Sequence, residues 1–300
     1  METIDFVIPV KCNHFLIRTA IESIHQFYQP RNVYIITNRA EIKTIKNDSI
    51  HWNCSTKILF IDEDTFFLPN YHLFKNQIEN MYERTDENAR EFGWWYQQLL
   101  KLGSVYQIEG LSDPYIVWDS DLIPLQKWSI YNEKTNQYFF AILQETAKNN
   151  WNKEQYAASI KNLIGIEVLE PETGGTFVPH HFVFHHNVLK TFLRYILLDL
   201  DTKTWIERII GLSHEYSRFS EYKTIATFMR KFYPELLHYH PFSHYGKDGI
   251  RYRENKEIIE KIKNYCVIEK CGLSYENFCQ FVHAYYTKRP SYIQIEHVYS

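Results

Sequence analysis

Asp119 and Asp121 close the run Tyr115-Ile116-Val117-Trp118-Asp119-Ser120-Asp121, two carboxylates one residue apart behind four apolar side chains. Residues i and i+2 of an extended segment project to the same side, so both can meet one hard cation, which takes oxygen ligands. A cation held there can grip a diphosphate. The competing role is a solvated strand end, where carboxylates are ordinary. Asp199 and Asp201 repeat the Asp-x-Asp spacing but follow the helical run Leu193 to Leu198, and read as a helix end or turn. Asp62 and Asp64, after Ile58-Leu59-Phe60-Ile61, repeat it at the end of a strand.

Other side chains offer acid–base or ligand chemistry. Glu221, in Ser217-Arg218-Phe219-Ser220-Glu221-Tyr222, and Glu215 can act as a general base toward an acceptor hydroxyl. Glu221 has an equally good structural use, since Ser220 can cap a helix whose first turn favours an acid. Gln97 and Lys101 lie four apart on one helix face. Lys101 can reach a diphosphate, although an exposed helix lysine is the commoner case. His180, His181, His185 and His186 form one histidine group, and His238, His240 and His244 another. In an extended segment the first group faces two ways, which suits contacts to an acceptor better than a zinc site with converging ligands.

Alternating strand and helix patterns over the first 125 residues must position these groups, and they predict an α/β fold with a largely parallel sheet. Strands are expected at Phe6–Val10, Val33–Thr37 and Lys57–Ile61, and in the run Pro114–Leu125 that carries Asp119 and Asp121. Leu16, Ala20, Ile21, Ile24 and Phe27 recur at helical spacing before Pro30. Two helical stretches, about Tyr71 to Arg84 and Glu87 to Lys101, precede the carboxylate strand. Such sheets bind ligands beyond the carboxyl ends of their strands, where Asn38, Asp62 and Asp119 stand. Pro9 and Val10, ending the first strand, are expected to border a base. In the second half a strand is expected near Phe139 to Leu143, Asn187 is expected to cap Val188 to Leu198, and helical patterns recur at Thr204–Ile210, Glu221–Phe232, Glu254–Tyr265 and Tyr275–Tyr286.

Two resemblances connect these residues. Ile58 to Thr65 resembles the nucleophile motif of haloacid-dehalogenase-type phosphatases, which implies attack on phosphorus by one Asp of Asp62/Asp64 and acid–base work by the other. The hydroxyl-bearing strand end that this family needs is not evident. Asp5-Phe6-Val7-Ile8-Pro9-Val10, Gly93-Trp94-Trp95-Tyr96-Gln97-Gln98-Leu99-Leu100-Lys101-Leu102, the Asp119/Asp121 segment and Phe219-Ser220-Glu221-Tyr222 together resemble GT-A glycosyltransferases over about residues 1 to 235. More narrowly they resemble an uncharacterised family of that fold, in which a Trp-Tyr-Gln-Gln-Leu-Lys-Leu helix precedes the Asp-x-Asp strand.

That second resemblance implies a Rossmann-like GT-A fold, a mixed and mainly parallel sheet flanked by helices with a helical C-terminal region. Its domain spans 1–245, with a nucleotide-sugar half (about 1–125) and an acceptor half (about 126–245), and 246–300 pack on it as a helical extension. It implies a nucleoside-diphosphate sugar donor, a glycan or other hydroxyl acceptor, and Mn2+ or Mg2+ on Asp121 directly, with Asp119 at the ribose or a metal-bound water. His244, followed by Gly246 and Lys247, is the candidate third ligand, as in the His/Gly/Lys segment of some retaining members. A non-catalytic nucleotide-sugar or carbohydrate-binding protein of the same fold is the alternative outside catalysis.

Composition narrows the class. The chain has 300 residues, 45% hydrophobic and 17% aromatic, ample for a large core. Thirty-three basic residues against 36 acidic ones, without a basic block, argue against a dedicated nucleic-acid binder. Cys12, Cys54, Cys266, Cys271 and Cys279 are odd in number and lack Cys-x-x-Cys spacing, so reduced thiols are expected. With no signal-like leader and no apolar run of spanning length, a cytoplasmic protein without a membrane span is expected.

Overall fold

The computed structural model describes residues 4–68, 74, 76, 78, 88–132, 134–135, 137–143, 153–172, 174–197, 204–213, 219–239, 249–252 and 256–296. The chain begins β1 (Asp5–Pro9), α1 (Ile17–Tyr28), β2 (Asn32–Thr37), α2 (Arg39–Ser49), β3 (Lys57–Asp62) and α3 (Glu63–Phe66). It continues with α4 (Asn88–Gln107), β4 (Tyr115–Trp118), β5 (Leu122–Pro124), β6 (Tyr131–Asn132), β7 (Gln137–Phe140), α5 (Lys153–Ile164) and β8 (His181–Phe184). Then follow α6 (His186–Tyr195), α7 (Trp205–Ser213), α8 (Glu221–Phe232), β9 (His238–Tyr239), β10 (Ile250–Tyr252), α9 (Lys256–Tyr265), α10 (Tyr275–Tyr285) and β11 (Tyr292–Ile295). They gather into two compact units, each discontinuous in sequence. The first holds Met1–Glu63, Tyr115–Ser129 and Ser243–Ser300; the second holds Asp64–Pro114 and Ile130–Phe242.

In the first unit β3, β2, β1 and β4 lie side by side, all parallel, with Phe6 opposite Val33, Val33 opposite Ile58 and Val7 opposite Val117. β1 and β4 are buried throughout, which explains the apolar runs Phe6–Pro9 and Tyr115–Trp118: a parallel strand covered on both faces has no polar side to alternate. α1 buries Ile17, Ala20, Ile21 and Ile24 and ends where Gln29 turns left-handed at φ 46°, just before Pro30. The helix α2, not expected from the sequence, begins at Asn38, whose side chain accepts from the Glu41 N–H. That is an ordinary N-cap.

The C-terminal segment is not helical throughout. β11 pairs antiparallel with β5, setting Gln294 opposite Leu122, and parallel with β10. Ile293 and Ile295 join Leu16, Ile123, Ile262, Leu273, Phe278 and Phe281 in one apolar core. Polar ties fasten the same segment to α1. Thr19 Oγ1 donates to the Leu273 carbonyl (2.7 Å), Glu22 accepts from the Tyr275 N–H (2.8 Å), and buried Arg18 bonds Glu22 (2.7 Å) and Glu269 (2.6 Å). Gly272 is required at this crossing: its φ is +99°, and a Cβ would lie 3.1 Å from the Phe15 carbonyl oxygen.

In the second unit α4, α6 and α8 pack together, with Trp95 stacked on Phe219 at 5.7 Å and Tyr222 on Phe182 at 5.4 Å. β7 pairs with β6 and β9. α6 starts at His186, one residue before the expected cap Asn187, because Asp113 Oδ1 accepts from the His186 N–H at 2.9 Å and does the capping from a distance in sequence. The helix α5 was not expected from the sequence, and Tyr71 to Arg84 falls largely outside the described residues.

Candidate metal and nucleotide site

The site begins where β4 ends. Trp118 stacks on Trp128 at 5.3 Å and donates its Nε1–H to the Leu122 carbonyl at 2.9 Å. The Leu122 N–H reaches back to the Asp119 carbonyl at 3.1 Å, the i to i+3 bond of a β-turn. Asp119, Ser120 and Asp121 therefore sit on a tight turn between β4 and β5, whereas the sequence spacing suggested an extended end. Asp119 and Asp121 are both partly buried. The turn is what brings them together.

Two distant parts of the chain hold this turn. From the loop after β1, buried His14 places its Nε2 3.4 Å from Ser120 Oγ. Burial pushes that imidazole down to about 3, so it is neutral near pH 7. From β11, Gln294 donates its Nε2–H to Asp121 Oδ1 at 3.3 Å, and the Ile295 N–H approaches the Asp121 carbonyl at 3.3 Å. Glu296, next along, is ion-paired with Arg251 of β10. Burial raises the Asp121 carboxyl to about 8, with the Asp119 and Glu296 charges adding to it and the Gln294 bond and Arg251 opposing it. Burial is the largest of these causes, so the turn as it stands disfavours a second negative charge beside Asp119.

The remaining expected residues divide clearly. Pro9 and Val10 are buried, and the Val10 N–H bonds the Ile36 carbonyl at 2.8 Å. Asn38 caps α2 and donates to the Lys11 carbonyl at 3.2 Å, tying the loop after β1 to α2. Asp62 ends β3, the edge strand, and is paired with Arg39 at 3.0 Å. In the second unit Lys101 and Glu221, expected at a diphosphate and as a base, bond each other at 2.8 Å with both side chains about 95% or more buried. Lys101 also lies over the Tyr222 ring at 4.6 Å. Gln98, not Gln97, faces this pair, its Oε1 accepting from the Glu221 N–H at 3.0 Å. Glu215, His240 and His244, with the Asp199/Asp201 triplet, lie outside the described residues.

The histidine group from 180 to 186 is not one extended strand. His180 has φ 65°, His181 opens β8, and His185 and His186 begin α6. Burial lowers the His185 pKa. His14, Arg251, Gln294 and Glu296 were not singled out from the sequence. The alternation in Tyr292-Ile293-Gln294-Ile295 is the one signal that marks a strand there, and it cannot say which partner that strand meets.

The donor set suits a divalent cation bound in part by its substrate. Among the described residues no group of three or more His, Cys, Asp and Glu converges as a metal cage. A pair of carboxyl groups on one turn matches the habit of magnesium-like ions, which take one or two carboxylates and leave other positions to phosphate oxygens and water. None of the five cysteines forms a disulfide. Among the described residues no helix is long and apolar enough to cross a membrane.

A family model, described as a family of unknown function (DUF6492), matches residues 1–251. The chain belongs to the DUF6492 family. No curated protein matches it significantly. Among solved structures it is similar to mouse xyloside xylosyltransferase 1 in its apo form, at TM-score 0.50 and 12% identity over 99% of both chains. It also matches the WbbM bifunctional glycosyltransferase, at 0.38 and 14% over 97% of this chain and 45% of that one. The PaToxG glycosyltransferase matches at 0.35 and 10% over 77% and 70%. The first of these likenesses establishes a shared GT-A-like fold for this DUF6492 member, as the resemblance in its sequence implied.

Proposed function

We propose that the chain is a metal-dependent glycosyltransferase, moving a sugar from a nucleoside-diphosphate sugar to a hydroxyl of a glycan or other acceptor. The observation that carries this reading is the Asp119–Leu122 turn. It presents two partly buried carboxylates at the carboxyl end of a strand inside a parallel sheet, where such folds take their ligands. The likeness in fold to a xylosyltransferase supports the class of reaction; the sugar is left unassigned.

In the reaction the acceptor oxygen bonds to the anomeric carbon. The bond from that carbon to the phosphate oxygen breaks, its electron pair leaves with the diphosphate, and the hydroxyl proton passes to a base. Bound Mn2+ or Mg2+ supplies Lewis-acid neutralisation of the leaving diphosphate. Asp121 is assigned to direct ligation, Asp119 to the ribose or a metal-bound water, and His244 to a third ligand position. Neutral His14 and Gln294 keep the turn in shape. Because Glu221 is engaged by Lys101, we assign the base role to Glu215. Asn38 and Asp62, at the ends of neighbouring strands, border the nucleoside. The reduced cysteines fit a cytoplasmic setting.

The test is thermal unfolding with nucleoside diphosphates and their sugars, with and without manganese. A ligand at a hundred times its dissociation constant stabilises the folded chain by about 2.7 kcal/mol. A manganese-dependent rise in Tm is expected for the wild type and none for Asp121→Ala. A wild-type chain indifferent to manganese with every nucleotide sinks the proposal.

A further inference from the structure

Gln294 is 1% exposed, and its amide carries two polar ends in different circumstances. Nε2 donates to Asp121 Oδ1, while Oε1 is sealed from solvent and has no hydrogen-bond partner among the described residues. In the cation-bound state Asp121 is a carboxylate and only accepts, which sets the amide with Nε2 toward it, as observed. A buried acceptor without a partner is rare enough in folded proteins to require a reason. The backbone around it leaves the side chain little freedom: β11 is locked to β5 in a register that sets Gln294 opposite Leu122, and the Ile295 N–H bonds Asp121 itself.

We infer that Gln294 is the positioning residue of the metal site, its N–H fixing Asp121 and its carbonyl oxygen receiving a hydrogen bond from a cation-bound water or a donor hydroxyl. The inference rests on the assignment of Asp121 as a metal ligand. Fixing one carboxylate oxygen leaves the other directed at the cation, and the amide oxygen gains its missing partner only when the site is filled. Such outer partners orient ligands, and removing one typically weakens metal affinity about 10- to 100-fold. A role confined to packing predicts the opposite pattern, lost stability with unchanged affinity.

Manganese alone, titrated into the full-length chain and followed by the electron paramagnetic resonance of free Mn2+, separates these outcomes. Gln294→Met keeps the length and removes both polar ends. It is expected to bind manganese at least about tenfold more weakly than the wild type, with a metal-free Tm within a few degrees of it. Hydrogen exchange supplies a measurement without substitution: manganese should slow exchange in the 291–296 segment of the wild type and not of Asp121→Ala. Unchanged manganese affinity in Gln294→Met, or exchange in that segment indifferent to manganese, overturns the inference while leaving the transferase reading standing. A wild type that binds no manganese, alone or with a nucleoside diphosphate, overturns both.

Discussion

His14 is a buried imidazole beside Ser120, between the two carboxylates of the turn. Its pKa falls from 6.5 to about 3 on folding because burial penalises the charged ring. The unfolded chain therefore binds the proton more readily, and stability rises with pH across that window and is lost on acidification below about 6.5. Each pH unit is worth about 1.4 kcal/mol, so His14 alone should cost roughly 2 kcal/mol between pH 6.5 and 5. Urea unfolding of the wild type and His14→Gln at both pH values checks this, with a shallower dependence expected in the variant. An equal slope would remove His14 from the account. The residue was not legible in Cys12-Asn13-His14-Phe15, where a lone histidine has neither period nor partner spacing. Asp119 and Asp121 were legible because strand and carboxylates are adjacent in the chain.

The helices α4 and α8 are joined by the buried Lys101–Glu221 bond, with Ser220 capping α8 and Gln98 accepting from its first N–H. A buried pair contributes little net stability, because desolvation offsets most of the attraction, yet removing one partner strands the other charge. Glu221→Gln should therefore destabilise the fold by about 3–5 kcal/mol, and Lys101→Met/Glu221→Leu should recover most of that loss. Chemical denaturation measures the first effect, and sugar transfer by the double variant decides the role. A brace predicts retained transfer, whereas a folded but inactive double variant would restore a functional role to the Lys101–Glu221 pair. At this scale the bounds of α8 were readable from Ser220 and the apolar period. The pairing was not, because 120 residues separate its members.

Across the whole molecule, the first unit is assembled from three stretches, and the last of them closes it. β11 contributes Tyr292, Ile293, Gln294 and Ile295, all buried, to the sheet with β5 and to the core under α1. Ending the chain after Arg289 removes that strand, exposes the β5 edge and opens the core. The truncated chain should unfold at a clearly lower temperature than the wild type and show no manganese-dependent shift, which calorimetry with and without Mn2+ would test. A truncated chain with wild-type Tm and metal response would show that the strand is dispensable.

The chain by itself determined the parallel strands, most of the helices and the Asp119/Asp121 pair, because periodicity, capping and adjacency are properties of neighbours in sequence. The tertiary structure alone decided that these carboxylates sit on a turn, that Lys101 meets Glu221, and that residues 251, 294 and 296 surround Asp121 from more than a hundred positions away. The physical reason is one of range. A strand pattern states which side chains must be buried, but its partner is chosen by packing and register between segments that meet only when the chain has folded.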